Sequence, residues 1–251
     1  MPNGKEIPVK FRSKGKTLSG VLHVPVKKTS SIIIFANGFP DNMLEIHIII
    51  ASARYFSENG FAFLRFNPRG RWPSKGTFTK MDVSDSAADL QSAIEFARRK
   101  GFEKIGIIGH SLGGVATILV PKEHVTAVAL WEPSSPVFVK KLWTLKKMKD
   151  QMKSRGFAVH EDFGIVLGKR MYDELVRLDD ITKSLAKIER PVFIAAGTHT
   201  KFMTDLAKKY FEAAPEPKEL RIIKNASHTF DNLGHERELF QRTLDWFNKW
   251  L

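Results

Sequence analysis

The chain has 251 residues, 43% of them hydrophobic, which suits one large α/β domain with a small insertion rather than two independent domains. It has no cysteine, which excludes disulfides and thiolate metal sites. The formal charge of +13 invites a nucleic-acid reading, but the basic residues are dispersed in short groups and no nucleic-acid-binding motif accompanies them.

In chain order, residues 9–11 and 18–24 read as an antiparallel entry pair. Residues 31–36 form a short isoleucine-rich run, as a central strand covered on both faces requires. Residues 61–66 form another, with Gly60 closing the helix before it. Asp82 is placed to cap a helix in which Val83, Ala87, Leu90, Ile94 and Ala97 recur at helical spacing until Gly101. Residues 104–108, 125–131, 191–196 and 219–223 supply four more strands. The last helix carries Leu239, Thr243, Trp246 and Trp250 on one stripe, which reads as core. Strand and helix alternate, and that predicts a mostly parallel sheet.

The stretch between residues 131 and 191 breaks the alternation and is too long for a plain crossover helix. It holds a basic amphipathic helix over 140–155, a hairpin of 159–163 with 165–171, and a helix near 181–188. An insertion here lies over the carboxyl ends of the strands, where open sheets bind ligands, so it reads as a cap. Its apolar and aromatic residues, among them Phe138, Trp143, Phe157, Phe163 and Tyr172, suit an apolar acyl or aromatic ligand. Most of them read as cap core. No apolar run approaches a bilayer span, since even the run from 46 to 53 is interrupted by His47. The first residues lack the apolar core of a signal peptide. A soluble cytoplasmic protein is the expectation, with a homodimer left open.

The segment most informative about chemistry is Gly109-His110-Ser111-Leu112-Gly113, which follows a buried strand and opens a helix that Pro121 stops. A serine in such a turn is held in a strained backbone conformation that lifts its hydroxyl above the sheet edge, and the flanking positions must be small. A serine hydroxyl attacks poorly until a base takes its proton. Position favours His228 as that base, because it follows the last strand and precedes the last helix. His23 lies in an early strand, His47 in a helix, His124 after Pro121, His160 in the cap and His235 on the last helix. The oxyanion formed by attack needs prepositioned N–H donors. The backbone of Leu112 supplies one, and Phe39 in the turn Asn37-Gly38-Phe39-Pro40 supplies the other.

With these pieces assembled, the chain resembles the serine-hydrolase branch of the α/β-hydrolase fold almost end to end. It looks most like the small esterases that include bacterial feruloyl (cinnamoyl) esterases and the serine-aminopeptidase-like group. The segments that carry the resemblance are Asn37-Gly-Phe, Leu64-Arg-Phe-Asn-Pro-Arg-Gly, Gly109-His-Ser-Leu-Gly-Gly and Ser227-His-Thr-Phe. The turn from Ser74 to Gly76 agrees as well. The resemblance implies a mostly parallel sheet flanked by helices, with a body of residues 1–135 and 189–251 and a cap of 136–188 between the sixth and seventh strands. It implies ester, thioester or amide hydrolysis through an acyl-serine, without metal or organic cofactor.

Two departures stand out. Asn37 occupies the place of the family's histidine before the oxyanion glycine, and the backbone donor survives that change. Thr200 occupies the place of the family's acid, and a threonine cannot offset the charge of an imidazolium. Some branches of the superfamily carry the acid after the sixth strand, which ends here at Glu132, so Glu132 is the first candidate. Asp205 is the second, in a helix pointing away, and Asp231 is too close in sequence to His228. A serine esterase acting on a small-molecule ester is the leading expectation. The alternative is an impaired member of the fold that binds a small molecule without turnover. Haloalkane dehalogenation needs a carboxylate where Ser111 stands, and no Gly-x-Gly-x-x-Gly follows a strand to support a dinucleotide site.

Overall fold

A computed structural model describes residues 4–44, 46–121, 123–137, 146–161, 164–178 and 180–251. Eight strands form one sheet: β1 (Lys5–Ser13), β2 (Lys16–Val24), β3 (Ser31–Ala36), β4 (Ala62–Asn67), β5 (Lys104–His110), β6 (Ala127–Trp131), β9 (Val192–Gly197) and β10 (Lys218–Ile223). Their spatial order is β1-β2-β4-β3-β5-β6-β9-β10. β2 runs antiparallel to both β1 and β4, and every later pairing is parallel, as the alternation of elements predicts. Among the described residues the α-helices are α1 (His47–Glu58), α2 (Val83–Arg99), α3 (Leu112–Leu119), α4 (Lys146–Arg155), α5 (Lys169–Arg177), α6 (Thr182–Leu185), α7 (Lys201–Ala213) and α8 (Leu233–Trp250).

Both faces of the sheet are covered, and the period-2 alternation of strands divides their side chains between two buried clusters. Ile32 and Ile34 of β3 face one side, with Leu64, Ile107, Leu90 and Val115. Ile33 and Phe35 face the other, against Ile48 and Phe56 of α1 and Leu239 and Phe247 of α8. Trp131 at the end of β6 is fully buried there, and its indole donates to Thr243 Oγ1 at 3.0 Å. The stripe of α8 therefore packs as core, with Thr243 giving the indole its partner. Asp82 caps α2 through its side chain, which accepts from Asp85 N.

Between β6 and β9 the described residues hold α4, a separate hairpin of β7 (Phe157–His160) with β8 (Ile165–Gly168), then α5 and α6. In the basic helix α4, Met148 and Met152 are buried, one turn apart. Its expected first residues, Lys140 to Leu145, lie outside the described residues, as do Phe138, Trp143 and Phe163. Phe157 and Tyr172 are half-buried. The second hairpin strand, expected to run to Met171, ends instead at Gly168. Residues from Lys169 wind into α5, because Met171 and Leu175 are one helical turn apart and both are buried. The helix expected near 181–188 is a single turn, Thr182–Leu185, with Ile181 and Ile188 buried at either side. Within this stretch, α5 is fastened to the start of α2. Ser84 N and Oγ donate to the Glu174 carboxylate, and Arg170 reaches Asp82 and the Lys80 carbonyl. A carboxylate at a helix N-terminus is favourably placed for the unpaired N–H groups there.

Candidate active site

β3, β5, β6, β9 and β10 end at one edge of the sheet, and the turns that leave them build the site. The turn after β5 is the tightest. Ser111 has φ 52° and ψ −121°, a conformation costly for any residue but glycine. It is locked by hydrogen bonds from Ser111 N to Trp131 O (3.0 Å), and from Gly114 N (3.0 Å) and Ser134 N (3.1 Å) to Ser111 O. The flanking glycines are required by close packing. A Cβ on Gly113 would collide with the carbonyl of Ala36, and one on Gly109 would stand 2.5 Å from Thr117 Oγ1. The Ser111 hydroxyl lies at the head of α3, and Ser111 is 8% exposed.

Glu132, the residue after β6, also has positive φ, at 46°. That backbone turn points a buried carboxylate across the ends of β9 and β10. Its Oε2 stands 3.1 Å from His228 Nδ1, and its Oε1 accepts from Gly197 N. The imidazole of His228 is 44% exposed while the carboxylate is 2% exposed. The loop that carries His228 is itself braced. Asp231 accepts from Ser227 Oγ at 2.6 Å and from Thr229 Oγ1 at 2.7 Å. His199 N donates to Ala226 O at 3.1 Å, and Asn225 N to Thr198 Oγ1 at 2.7 Å.

The turn from 197 to 199, beside the place of the family's acid, thus supports Glu132 and the His228 loop through the N–H groups of Gly197 and His199 and the hydroxyl of Thr198. Thr200 is exposed at the start of α7. Asp205 pairs with Lys201 on the exposed face of α7, at 2.6 Å. Asp231 serves its own loop. Of the four candidates, Glu132 is the one that reaches His228.

The turn after β3 is pinned from two sides. Asn37 Nδ2 donates to Phe66 O (3.1 Å) and Asn67 Oδ1 (3.3 Å) at the end of β4. Arg71, buried against the rings of Phe39 and Phe78 at 5.6 and 5.8 Å, donates to the carbonyls of Gly38 (2.7 Å) and Asp41. Burial pushes this guanidinium down to about 10, against the nearby charge of Asp41. Among the described residues, neither Phe39 N–H nor Leu112 N–H donates to a protein acceptor.

Two features of the site carried no signal in the sequence. Ser134 Oγ lies 3.2 Å from Ser111 Oγ, and among the described residues it is Ser134, not His228, that hydrogen-bonds the Ser111 hydroxyl. His110, inside the motif, is buried between Asp41 and the base loop. Its Nδ1 is 3.1 Å from Asp41 Oδ2 and its Nε2 is 3.0 Å from the carbonyl oxygen of His228.

A sequence profile of the family described as serine aminopeptidase, S33, a hydrolase family, matches residues 27–163, more than half of the chain. The chain belongs to that family. Its fold is that of the α/β hydrolases. Solved structures agree across nearly the whole length. Est1E from Butyrivibrio proteoclasticus with ferulic acid bound superposes with a TM-score of 0.83 at 19% identity, covering 96% of this chain and 98% of that one. Alpha/beta hydrolase domain-containing protein 10 from mouse gives 0.79 at 18% identity, covering 98% of each chain. The esterase domain of a Rhodothermus marinus protein gives 0.73 at 22% identity, covering 98% of this chain and 99% of its own. Among the described residues no helix is long and apolar enough to cross a membrane.

Proposed function

We propose that this chain is a cytoplasmic serine hydrolase of carboxylesterase type that cleaves small esters through an acyl-serine. The observation that carries the reading is the 3.1 Å contact of His228 Nδ1 with the buried Glu132 carboxylate, at the sheet edge where Ser111 occupies its strained turn. A carboxylate at Nδ1 fixes the tautomer that leaves Nε2 free to accept a proton. Ser111 Oγ attacks the ester carbonyl as His228 takes its proton. The carbonyl oxygen, now negative, is held by the N–H groups of Phe39 and Leu112. His228 then protonates the leaving alkoxide, and water entering by the same route in reverse frees the acid and restores the serine. Glu132 stabilises the imidazolium throughout. No step needs a metal or an organic cofactor.

The residues between 136 and 188 act in this reading as a cap over the body formed by 1–135 and 189–251. Their fastening to α2 supports it, because it holds the insertion beside the turn from Phe78 that packs on Phe39 at 5.2 Å between ring centroids. The ferulic acid carried by the similar Est1E makes an aromatic acyl group a natural member of a substrate panel. One observation favours a second reading, a small-molecule binder without turnover: at rest the Ser111 hydroxyl bonds Ser134. Hydrogen bonds of unliganded sites are often long or diverted and tighten only around substrate, which leaves the hydrolase reading ahead.

A fluorophosphonate probe separates the two. The wild-type chain should be labelled at Ser111, and Ser111→Ala should lose labelling and fall by about 10³-fold or more in kcat on a panel of acetyl to decanoyl and cinnamoyl esters. An unlabelled wild type with retained ligand binding would overturn the hydrolase reading.

A further inference from the structure

His110 presents a simple problem of proton counting. A neutral imidazole has one N–H to donate and one lone pair that accepts. Both ring nitrogens of His110 face oxygens that accept: the carboxylate of Asp41 at 3.1 Å, and the main-chain carbonyl of His228 at 3.0 Å. The carbonyl can never donate, so Nε2 carries a proton. The second proton belongs either to Nδ1 or to Asp41. The ring is enclosed, at 1% side-chain exposure, and water cannot serve as an alternative partner.

We propose that His110 is an imidazolium strut, a positioning residue whose two N–H groups tie the oxyanion turn at Asp41 to the loop carrying His228. The proposal rests on the reading of His228 as the base. The strut begins inside the nucleophile turn itself, one residue before Ser111, so a single ring fixes three turns against each other. The charged and titratable groups that face it are Asp41 from the turn after β3, Arg71 beside Asp41 from the turn after β4, Glu132 from the end of β6, and His228 itself, 5.0 Å away between ring centroids. The balance favours the ion pair over a neutral one. Burial alone would push the His110 imidazole down, yet the hydrogen bond and charge of Asp41 hold it above its usual value. Burial alone would push Asp41 up, yet His110 and Arg71 hold it below. The shared proton stays on the ring.

This arrangement predicts a descending alkaline limb in kcat. When His110 loses its second proton, a bare lone pair faces either Asp41 or the His228 carbonyl, and one end of the strut is released. His110→Gln should lower kcat by roughly 10²-fold with KM little changed, the scale of a misplaced reacting group, and should erase the alkaline limb. Unchanged kcat and an unchanged pH profile in that variant would overturn the proposal. The wild-type chain gives an answer even where the variant does not fold. With ¹⁵N-labelled histidine, NMR at neutral pH should find both nitrogens of His110 protonated, and an unprotonated Nδ1 would place the proton on Asp41 and overturn the strut. That measurement does not depend on catalysis. Fluorophosphonate labelling of the wild type tests the His228 reading separately, so the two failures are distinguishable.

Discussion

Two carboxylate–histidine pairs lie side by side at the carboxyl edge of the sheet, Glu132 with His228 and Asp41 with His110. Each joins a carboxylate to Nδ1 at 3.1 Å, and they differ in what is left over. His228 is 44% exposed, and among the described residues its Nε2 has no protein partner. His110 is 1% exposed and its Nε2 is spent on a carbonyl. A carboxylate and an imidazole thus make one pair with a ring nitrogen left open to solvent and one pair with both ring nitrogens occupied. Exposure and the second nitrogen decide which.

The largest test of that contrast removes each carboxylate in turn. Glu132→Gln should lower kcat by roughly 10²–10⁴-fold, because an amide can neither fix the tautomer nor offset the imidazolium charge. A silent Glu132→Gln would take Glu132 out of the mechanism.

A third histidine, buried like His110, sharpens the comparison from the opposite side. His23 accepts from Arg65 Nε at 2.9 Å, so its ring must be neutral. Burial, followed by the charge of Arg65, lowers it from 6.5 to about 4, and the nearby Glu6 only partly opposes this. Between those values the unfolded chain binds the extra proton and the folded chain does not, so stability rises with pH across the window. Acidification from pH 6.5 to 4 should cost about 3 kcal/mol through this group, at roughly 1.4 kcal/mol per pH unit. Within the strut pair the two signs oppose each other, and only that of His110 is opposite to His23. Its His110 contribution is full below 6.5 and lost as pH rises through the raised folded value, while that of Asp41 is lost as pH falls through its lowered one. Urea midpoints should therefore fall steeply in the wild type as pH is lowered from 7 to 4, and less in His23→Gln. Parallel slopes would show that His23 does not control acid stability.

Asp41→Asn should be milder in activity than Glu132→Gln. A neutral His110 can still donate from Nε2 to His228 while Nδ1 accepts from the new amide, so kcat should stay within roughly ten-fold of wild type. A loss as large as that of Glu132→Gln would mean that the ion pair, not the strut's geometry, is what the site needs.

Most of the body could be read from the chain because its signals are local. Apolar runs such as Ile32 to Phe35 mark strands covered on both faces, and the glycines around Ser111 mark a turn that tolerates no Cβ. Glu132 could be nominated because strand ends at one edge share a neighbourhood, although 96 residues separate it from His228. The insertion was harder. The run from Ile165 looks extended, and the two apolar residues that α5 buries, Met171 and Leu175, are too few to announce it before its packing is known. His110 was hidden for another reason. It stands at a motif position that any residue can fill, and its partner Asp41 is 69 residues away.

The smallest expected effect concerns Thr200, where the family's pattern calls for an acid. Thr200 is exposed and begins α7 without a side-chain cap. Aspartate is a better cap and complements the helix dipole, so Thr200→Asp should raise stability by a few tenths to about 1 kcal/mol. It should change kcat by less than about two-fold, because Glu132 already occupies the Nδ1 side of His228 and a second carboxylate finds no proton there to hold. The combination with Glu132→Gln makes the comparison strict. If the turn from 197 to 199 serves as scaffold for Glu132, the added aspartate should not rescue the double variant. A sharp rise in kcat for Thr200→Asp alone would show instead that the native pair is incomplete, and that the chain is nearer to a binding protein than to an esterase.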